Sequence, residues 1–133
     1  MQGRMIIMTR VYPAIIHSEG GGFWLEFPDL PGCFTEGDSL EELMDNAEEA
    51  LGAFLAVKMD YREEIPTPSD IKDVSTDGGD ITTFVSTDVN KYHKDNKAVK
   101  KMISIPAWLA KEAEARNYSL SKILQEALMG KLA

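Results

Sequence analysis

The spacing of hydrophobic residues changes period several times along the chain, and each change marks a different kind of element. Val11–His17 is rich in β-formers, and Pro13 within it predicts an edge strand or a bulge. Glu19-Gly-Gly-Gly22 supplies residues that tolerate positive φ, so a hairpin turn follows. Three glycines in a row resemble a phosphate loop, but no Gly-Lys-Ser/Thr comes after them and the next element reads as a strand. Phe23, Leu25 and Phe27 then alternate with Trp24 and Glu26, the period of a half-buried strand. Pro28-Asp-Leu-Pro-Gly32 is a turn by composition, and Cys33–Gly37 returns as a third strand. The chain therefore opens with an antiparallel meander.

From residue 39 the period becomes helical. Ser39 followed by Glu42 is a capping box, with Asp38 adding negative charge at the same helix N-terminus. Leu40, Leu43, Met44, Ala47, Leu51, Phe54 and Leu55 form one apolar stripe. The opposite face carries Glu41, Glu42, Asp45, Glu48 and Glu49, with Glu41–Asp45 and Asp45–Glu49 as like-charge i, i+4 pairs. Such a face is either solvated or a docking surface for a basic protein, because binding would relieve the repulsion. Arg62–Asp80 has no clean period and reads as a loop without a motif, a candidate for mobility. Ile81–Thr87 resumes strand composition and is expected to join the sheet. Asp88–Lys97 reads as a linker or a short exposed helix.

The last third is different again. In Val99–Pro106, Ile103 and Ile105 face one side of a predicted strand, while Lys100, Met102 and Ser104 face the other. Pro106 suits the first position of a helix running through Trp108 and Leu109 to Arg116. Asn117 can take the left-handed closing conformation, and Ser119 can cap a second helix with Leu120, Ile123, Leu124, Ala127 and Leu128 on one face. A lone strand has no ladder partner, and so short a segment cannot bury enough apolar surface by itself. Both deficits vanish if two copies pair their strands and interlock their helices, the logic of the ribbon-helix-helix fold.

Charge sharpens this division. Residues 1–90 carry 5 Lys/Arg against 18 Asp/Glu, a balance of −13, and residues 91–133 carry 9 against 4, a balance of +5; together these give the net −8. Asymmetry of this kind implies two partners of opposite sign, one basic and one that could be nucleic acid. Cys33 is the only cysteine and His17 and His93 the only histidines, so an internal disulfide is excluded and a Cys/His metal cluster is not expected. No apolar run approaches the ~20 residues of a membrane span. The basic N-terminal stretch leads into Pro13 without a signal-peptide core, so a cytoplasmic location is expected.

Tyr12-Pro-Ala-Ile15, Phe23-Trp24, Ala47–Leu51 and above all Phe27-Pro-Asp-Leu-Pro-Gly-Cys-Phe-Thr-Glu-Gly-Asp-Ser-Leu-Glu-Glu42 resemble the HicB family of antitoxins. Lys101–Leu109 and Ser121–Leu128 look like that family's ribbon-helix-helix tail. The resemblance covers nearly the whole chain apart from Arg62–Asp80. It implies an α+β fold: a β-β-β-α-β partial RNase H-like domain over residues 1–90, a linker at 91–98, and a β-α-α dimerisation and DNA-binding module at 99–133. It also implies an antitoxin that neutralises a small basic HicA-type mRNA interferase. The same protein would repress its operon by binding operator DNA as a homodimer or a higher even-numbered oligomer.

On that reading Lys100, Met102 and Ser104 face the major groove, with Met102 offering only apolar contact. Lys97, Lys101 and Lys122 add sequence-independent attraction, and the helix N-terminus at Ser119 and Leu120 meets a phosphate. Glu41, Asp45, Glu48 and Glu49 are the candidate contacts to the toxin. No cofactor or metal is called for, and the chain is not expected to be an enzyme. The alternatives are a stand-alone regulator without a toxin, or a nuclease using Glu26, Asp29, Glu36 and Asp38 to hold Mg²⁺, which would need those carboxylates to converge.

Overall fold

A computed structural model describes residues 8–132. Residues 1–7 of the expected first domain, and Ala133, lie outside the described residues. The chain forms two compact units, one running to Asn96 and the other beginning at Lys97.

In the first unit, strands β1 (Thr9–Glu19), β2 (Gly22–Glu26) and β3 (Phe34–Gly37) form the expected meander. Helix α1 (Leu40–Asp60) follows, and strand β4 (Ile81–Asp88) closes the sheet in the order β3-β2-β1-β4. Every pairing is antiparallel. A helix placed directly between β3 and β4 would normally leave those strands parallel. Here the chain instead travels back along the sheet between α1 and β4, so β4 enters from the opposite end, where Ile81 pairs with Ile16.

Pro13 corrects the edge-strand expectation, because β1 is a central strand. It is tolerated because β2 pairs with β1 only from Ile15 to Glu19. At Pro13 the strand is laddered on the β4 side alone, opposite Phe84.

Helix α1 starts at Ser39, whose hydroxyl accepts the Glu42 backbone N–H at 3.1 Å. Its buried residues are Leu43, Ala47, Leu51, Gly52, Leu55 and Ala56. The stripe is narrower than its sequence pattern, since Leu40 is 49% exposed. It covers the sheet face bearing Tyr12, Ala14, Ile16, Leu25 and Val85, all buried. Gly52 lies where the helix comes closest: a β-carbon there would run into the Tyr92 ring and stand 2.6 Å from Thr87 Oγ1. A helical glycine costs about 1 kcal/mol relative to alanine, and the close packing against Tyr92 and Thr87 is what requires it.

The stretch 62–80 is not a free loop. The Tyr12 hydroxyl donates to Pro66 O, the Ser69 backbone N–H and hydroxyl both donate to Asp29, and a 3₁₀ turn at Ile71–Asp73 touches β4. Asp80 then bonds His17 Nδ1 at 2.9 Å. By strand alternation Pro13 and Ile15 point away from α1, yet both are buried, Ile15 being only 8% exposed. The 62–80 segment is thus a strap over the sheet's second face. Its anchors are hydrogen bonds to distant residues, which leave no periodic trace in sequence.

The second unit contains α2 (Ala107–Ala115) and α3 (Leu120–Leu132). Asn117 takes φ 57° and Tyr118 N–H returns to Ala113 O at 2.9 Å, the left-handed helix ending that its sequence predicts. Ser119 Oγ accepts the Lys122 N–H at 3.2 Å and so caps α3. Val99–Pro106, expected to ladder only against a second copy, is laddered to none of the described residues of the single chain. The stretch 91–96, expected to be linker, belongs to the first unit: a 3₁₀ turn at Val89–Tyr92 packs on α1, and His93 Nδ1 bonds Asp60 at 2.9 Å.

Two stability measurements follow. Gly52→Ala should lower stability by about 1–3 kcal/mol, the usual range for overpacking, read as a shifted denaturation midpoint. Asp29→Ala should speed amide exchange across residues 64–80 while leaving exchange in α1 unchanged.

Candidate functional site

The first unit carries a surface of one sign. From Val11 to Val57 the chain has ten Asp/Glu and no Lys or Arg. Two regions of this surface differ in construction.

The first is the outward side of α1. Glu41, Asp45 and Glu49 are exposed there, but Glu48 is turned inward and only partly exposed. Its carboxylate accepts hydrogen bonds from Thr87 Oγ1 at 2.6 Å and from the Tyr92 hydroxyl at 2.8 Å, with Lys91 Nζ at 3.7 Å. Thr87, only 3% exposed, also donates to Glu48 O at 3.0 Å. Partial burial opposes ionisation of Glu48, but the Thr87 and Tyr92 hydrogen bonds and the Lys91 charge outweigh it and hold the carboxyl below its usual range. Burial, then the Glu48 bond, push the Tyr92 phenol up to about 12. Glu48 therefore ties α1 to the end of β4, a role its sequence period does not distinguish from that of its three neighbours.

The second region is the β2–β3 end of the sheet's second face; Val11 and Phe84, at the β1–β4 end of the same face, are exposed as well. The Trp24 ring stacks on His17 with centroids 3.9 Å apart, and His17 Nε2 bonds Glu26 at 2.7 Å. Phe34 on the edge strand is 66% exposed. Around these rings runs a groove of about 950 Å³ lined by Glu19, Trp24, Phe34, Glu36, Asp38 and Glu42 among others. None of its four carboxylates forms an ion pair among the described residues. Sequence reasoning assigned Glu36 and Asp38 only to a nuclease alternative and did not consider Phe34 or Glu19 as contacts. A large apolar residue on a short edge strand was the signal available.

The nuclease arrangement is not assembled. Glu26 is bonded to His17 and Asp29 to Ser69. Among the described residues no three His, Cys, Asp or Glu side chains are arranged to hold a metal ion. Cys33 is buried with its thiol pushed up to about 11 by burial, so it is an inert core residue.

In the second unit Lys97, Lys100, Lys101, Ser104, Ser119 and Leu120 are exposed, and Met102 is fully so. Lys122 is half-buried and lies 3.7 Å from Glu126. The apolar side chains are also uncovered: Ile103 is 56% exposed, Trp108 67%, Ile123 46% and Leu128 52%, while Ala113 alone is buried among the described residues of this unit. Exposed lysines and a bare apolar helix side thus share one small module.

An acidic helix-backed antiparallel sheet followed by a basic two-helix module defines a binding protein of two parts. Residues 12–127 match the model of the HicB-like antitoxins of bacterial toxin–antitoxin systems, and the chain belongs to this family. Among its relatives, an uncharacterized 14.9 kDa protein from the rep-hol intergenic region of Haemophilus phage HP1 is 35% identical over 74% of this chain and 75% of its own. Antitoxin HicB 1 of Photorhabdus laumondii is 35% identical over 51% of this chain and 44% of its own length. A toxin–antitoxin complex from Streptococcus pneumoniae contains a chain 25% identical to this one, with a TM-score of 0.60, covering 93% of this chain and 99% of that one. A chain of the HicA3 and HicB3 toxin-antitoxin complex is 32% identical at a TM-score of 0.52, over 59% of this chain and 99% of that one. No helix among the described residues is long and apolar enough to cross a membrane.

Glu48→Gln should destabilise the fold by about 1 kcal/mol, below the ~1.5–3 kcal/mol of a hydrogen bond to a charged group because Glu48 is one-third exposed. The folded carboxyl titrates below its ordinary value, so its contribution is present above that value and is lost as pH falls through the depressed one. Urea midpoints at pH 7 should therefore separate the two proteins, and the gap should close as pH falls through that depressed value.

Proposed function

We propose that this chain neutralises a HicA-type mRNA interferase through its acidic unit and represses its own operon by binding operator DNA through its basic tail. The observation that carries this reading is that the charge split coincides with the structural split. Residues 7–96 hold 6 Lys/Arg against 19 Asp/Glu, and residues 97–133 hold 7 against 3. Toxin partnership is supported by the family and by the related complexes whose chains this one resembles.

The tail supports the second half. Its bare apolar stripe and unladdered 99–105 segment are both completed by a second copy, in a homodimer or a higher even-numbered oligomer. Pairing the two segments as a ribbon would place Lys100, Met102 and Ser104 on the groove side, in a ribbon-helix-helix arrangement. Lys97, Lys101, Lys122 and the capped N-terminus of α3 at Ser119 and Leu120 would meet phosphates. In this reading the β-β-β-α-β unit is a cut-down RNase H-like domain kept as a binding scaffold, without catalysis, working in the cytoplasm.

Deleting residues 98–133 should abolish binding to DNA from upstream of the operon while preserving capture of the toxin encoded beside it. Operator footprinting by the truncated protein would overturn the assignment. For the intact protein, operator affinity should fall steeply with salt. Met102→Ala should reduce discrimination between operator and unrelated DNA more than it changes that salt slope; loss of slope instead would place Met102 near the backbone.

A further inference from the structure

We infer that the toxin-docking surface is the aromatic–acidic groove at the β2–β3 end of the sheet, not the acidic side of α1; this rests on the antitoxin reading above. The partner it fits is a basic protein segment presenting an apolar or arginine side chain to Phe34 and Trp24.

Three features carry the inference. First, the anchors are preset. Trp24 is held by the His17 stack at 3.9 Å, and His17 is itself held between Glu26 at 2.7 Å and Asp80 at 2.9 Å. An aromatic ring fixed before binding loses little freedom on contact, the usual property of an interface hot spot. Phe34 stands on the same sheet face of the neighbouring strand, diagonal to Trp24 and 66% exposed, without the strap that shields Pro13 and Ile15. Second, Glu19, Glu36, Asp38 and Glu42 surround these rings with no ion pair among the described residues, so the rim is negative and uncompensated. Third, the α1 side has charge but, among the described residues, no ring stacked in place: its exposed large apolar residues are Leu40, Val57 and, at the C-cap, Tyr61. Glu41, Asp45 and Glu49 are exposed, and Glu48 is already committed to Thr87 and Tyr92.

Charge also selects the occupant. A second copy of this chain laid against the same groove would bring the four carboxylates against their own images, and nucleic acid would be repelled outright. A basic protein meets complementary potential and an apolar seat together.

The test uses the full chain and the purified toxin encoded beside it, with calorimetric affinities at two salt concentrations and thermal melts to confirm folding. Phe34→Ala should weaken binding by about tenfold or more, as truncation of an interface anchor does. The paired change Glu19→Lys with Glu36→Lys should weaken it at least as much, with a reduced salt dependence. Asp45→Lys with Glu49→Lys on α1 should change affinity by less than about threefold, the scale of a distant rim charge. If the α1 pair abolishes binding while the groove variants bind normally, or if all three lose affinity equally, the groove is not the docking surface. If Phe34→Ala instead changes the oligomeric state of the chain alone and leaves toxin affinity intact, the groove joins copies of this protein and the inference is overturned. A chain of unaltered sequence that fails to bind the toxin at all would sink the antitoxin reading itself, a result distinct from any of these.

Discussion

A four-stranded sheet has two faces to cover, and this chain has one long helix to cover them with. That shortage organises the first unit. Helix α1 takes the face of Tyr12, Ala14, Ile16, Leu25 and Val85. The second face falls to the 62–80 strap, held at Asp29 and His17 by hydrogen bonds rather than by a packed element, with Tyr12 reaching Pro66 from the helix-covered face. A strap is narrower than a helix. It shields Pro13 and Ile15 and leaves Phe34 beyond its reach. The exposed aromatic region is therefore a consequence of how the sheet is closed, and so is the antiparallel entry of β4, since a chain crossing the sheet lengthwise must start its last strand from the far end.

The acidic character of the unit is handled in two ways. Where carboxylates meet donors they become structural: Glu48 joins α1 to β4 through Thr87 and Tyr92, and Glu26 and Asp80 clamp His17 beneath Trp24. Where they meet none, as at Glu19, Glu36, Asp38, Glu41, Asp45 and Glu49, they leave a negative field over a stretch of 47 residues, Val11 to Val57, with no Lys or Arg. Uncompensated charge at that density costs stability through self-repulsion, and a basic partner removes the cost on binding. The tail shows the same incompleteness in apolar form. Its first helix closes at Asn117 and its second is capped by Ser119, yet the residues that should form a core remain in water.

Much of this was legible beforehand. The meander, the Ser39 cap and the Asn117 turn each follow from contacts close along the chain, the range over which sequence pattern speaks directly, and the strand at Ile81 shows in its β-forming composition although its partner β1 is distant. The family resemblance was readable from the Phe27–Glu42 segment for the same reason, since it is one continuous turn, strand and helix start. Pro13 misled because its tolerance depends on where β2 stops pairing. The 62–80 strap read as a plain loop because its partners are 40 or more residues away. Glu48 read as one of four equivalent surface acids because only the position of β4 and Tyr92 separates it from Asp45 and Glu49.

The sequence by itself determined the local elements, the opposite charge of the two halves and the family, because caps, periods and charge counts need no third dimension. The tertiary structure alone decided which acids are structural and which are free, and which face of the sheet stays open. Each of those depends on what lies opposite a residue in space, and a linear pattern carries no information about that.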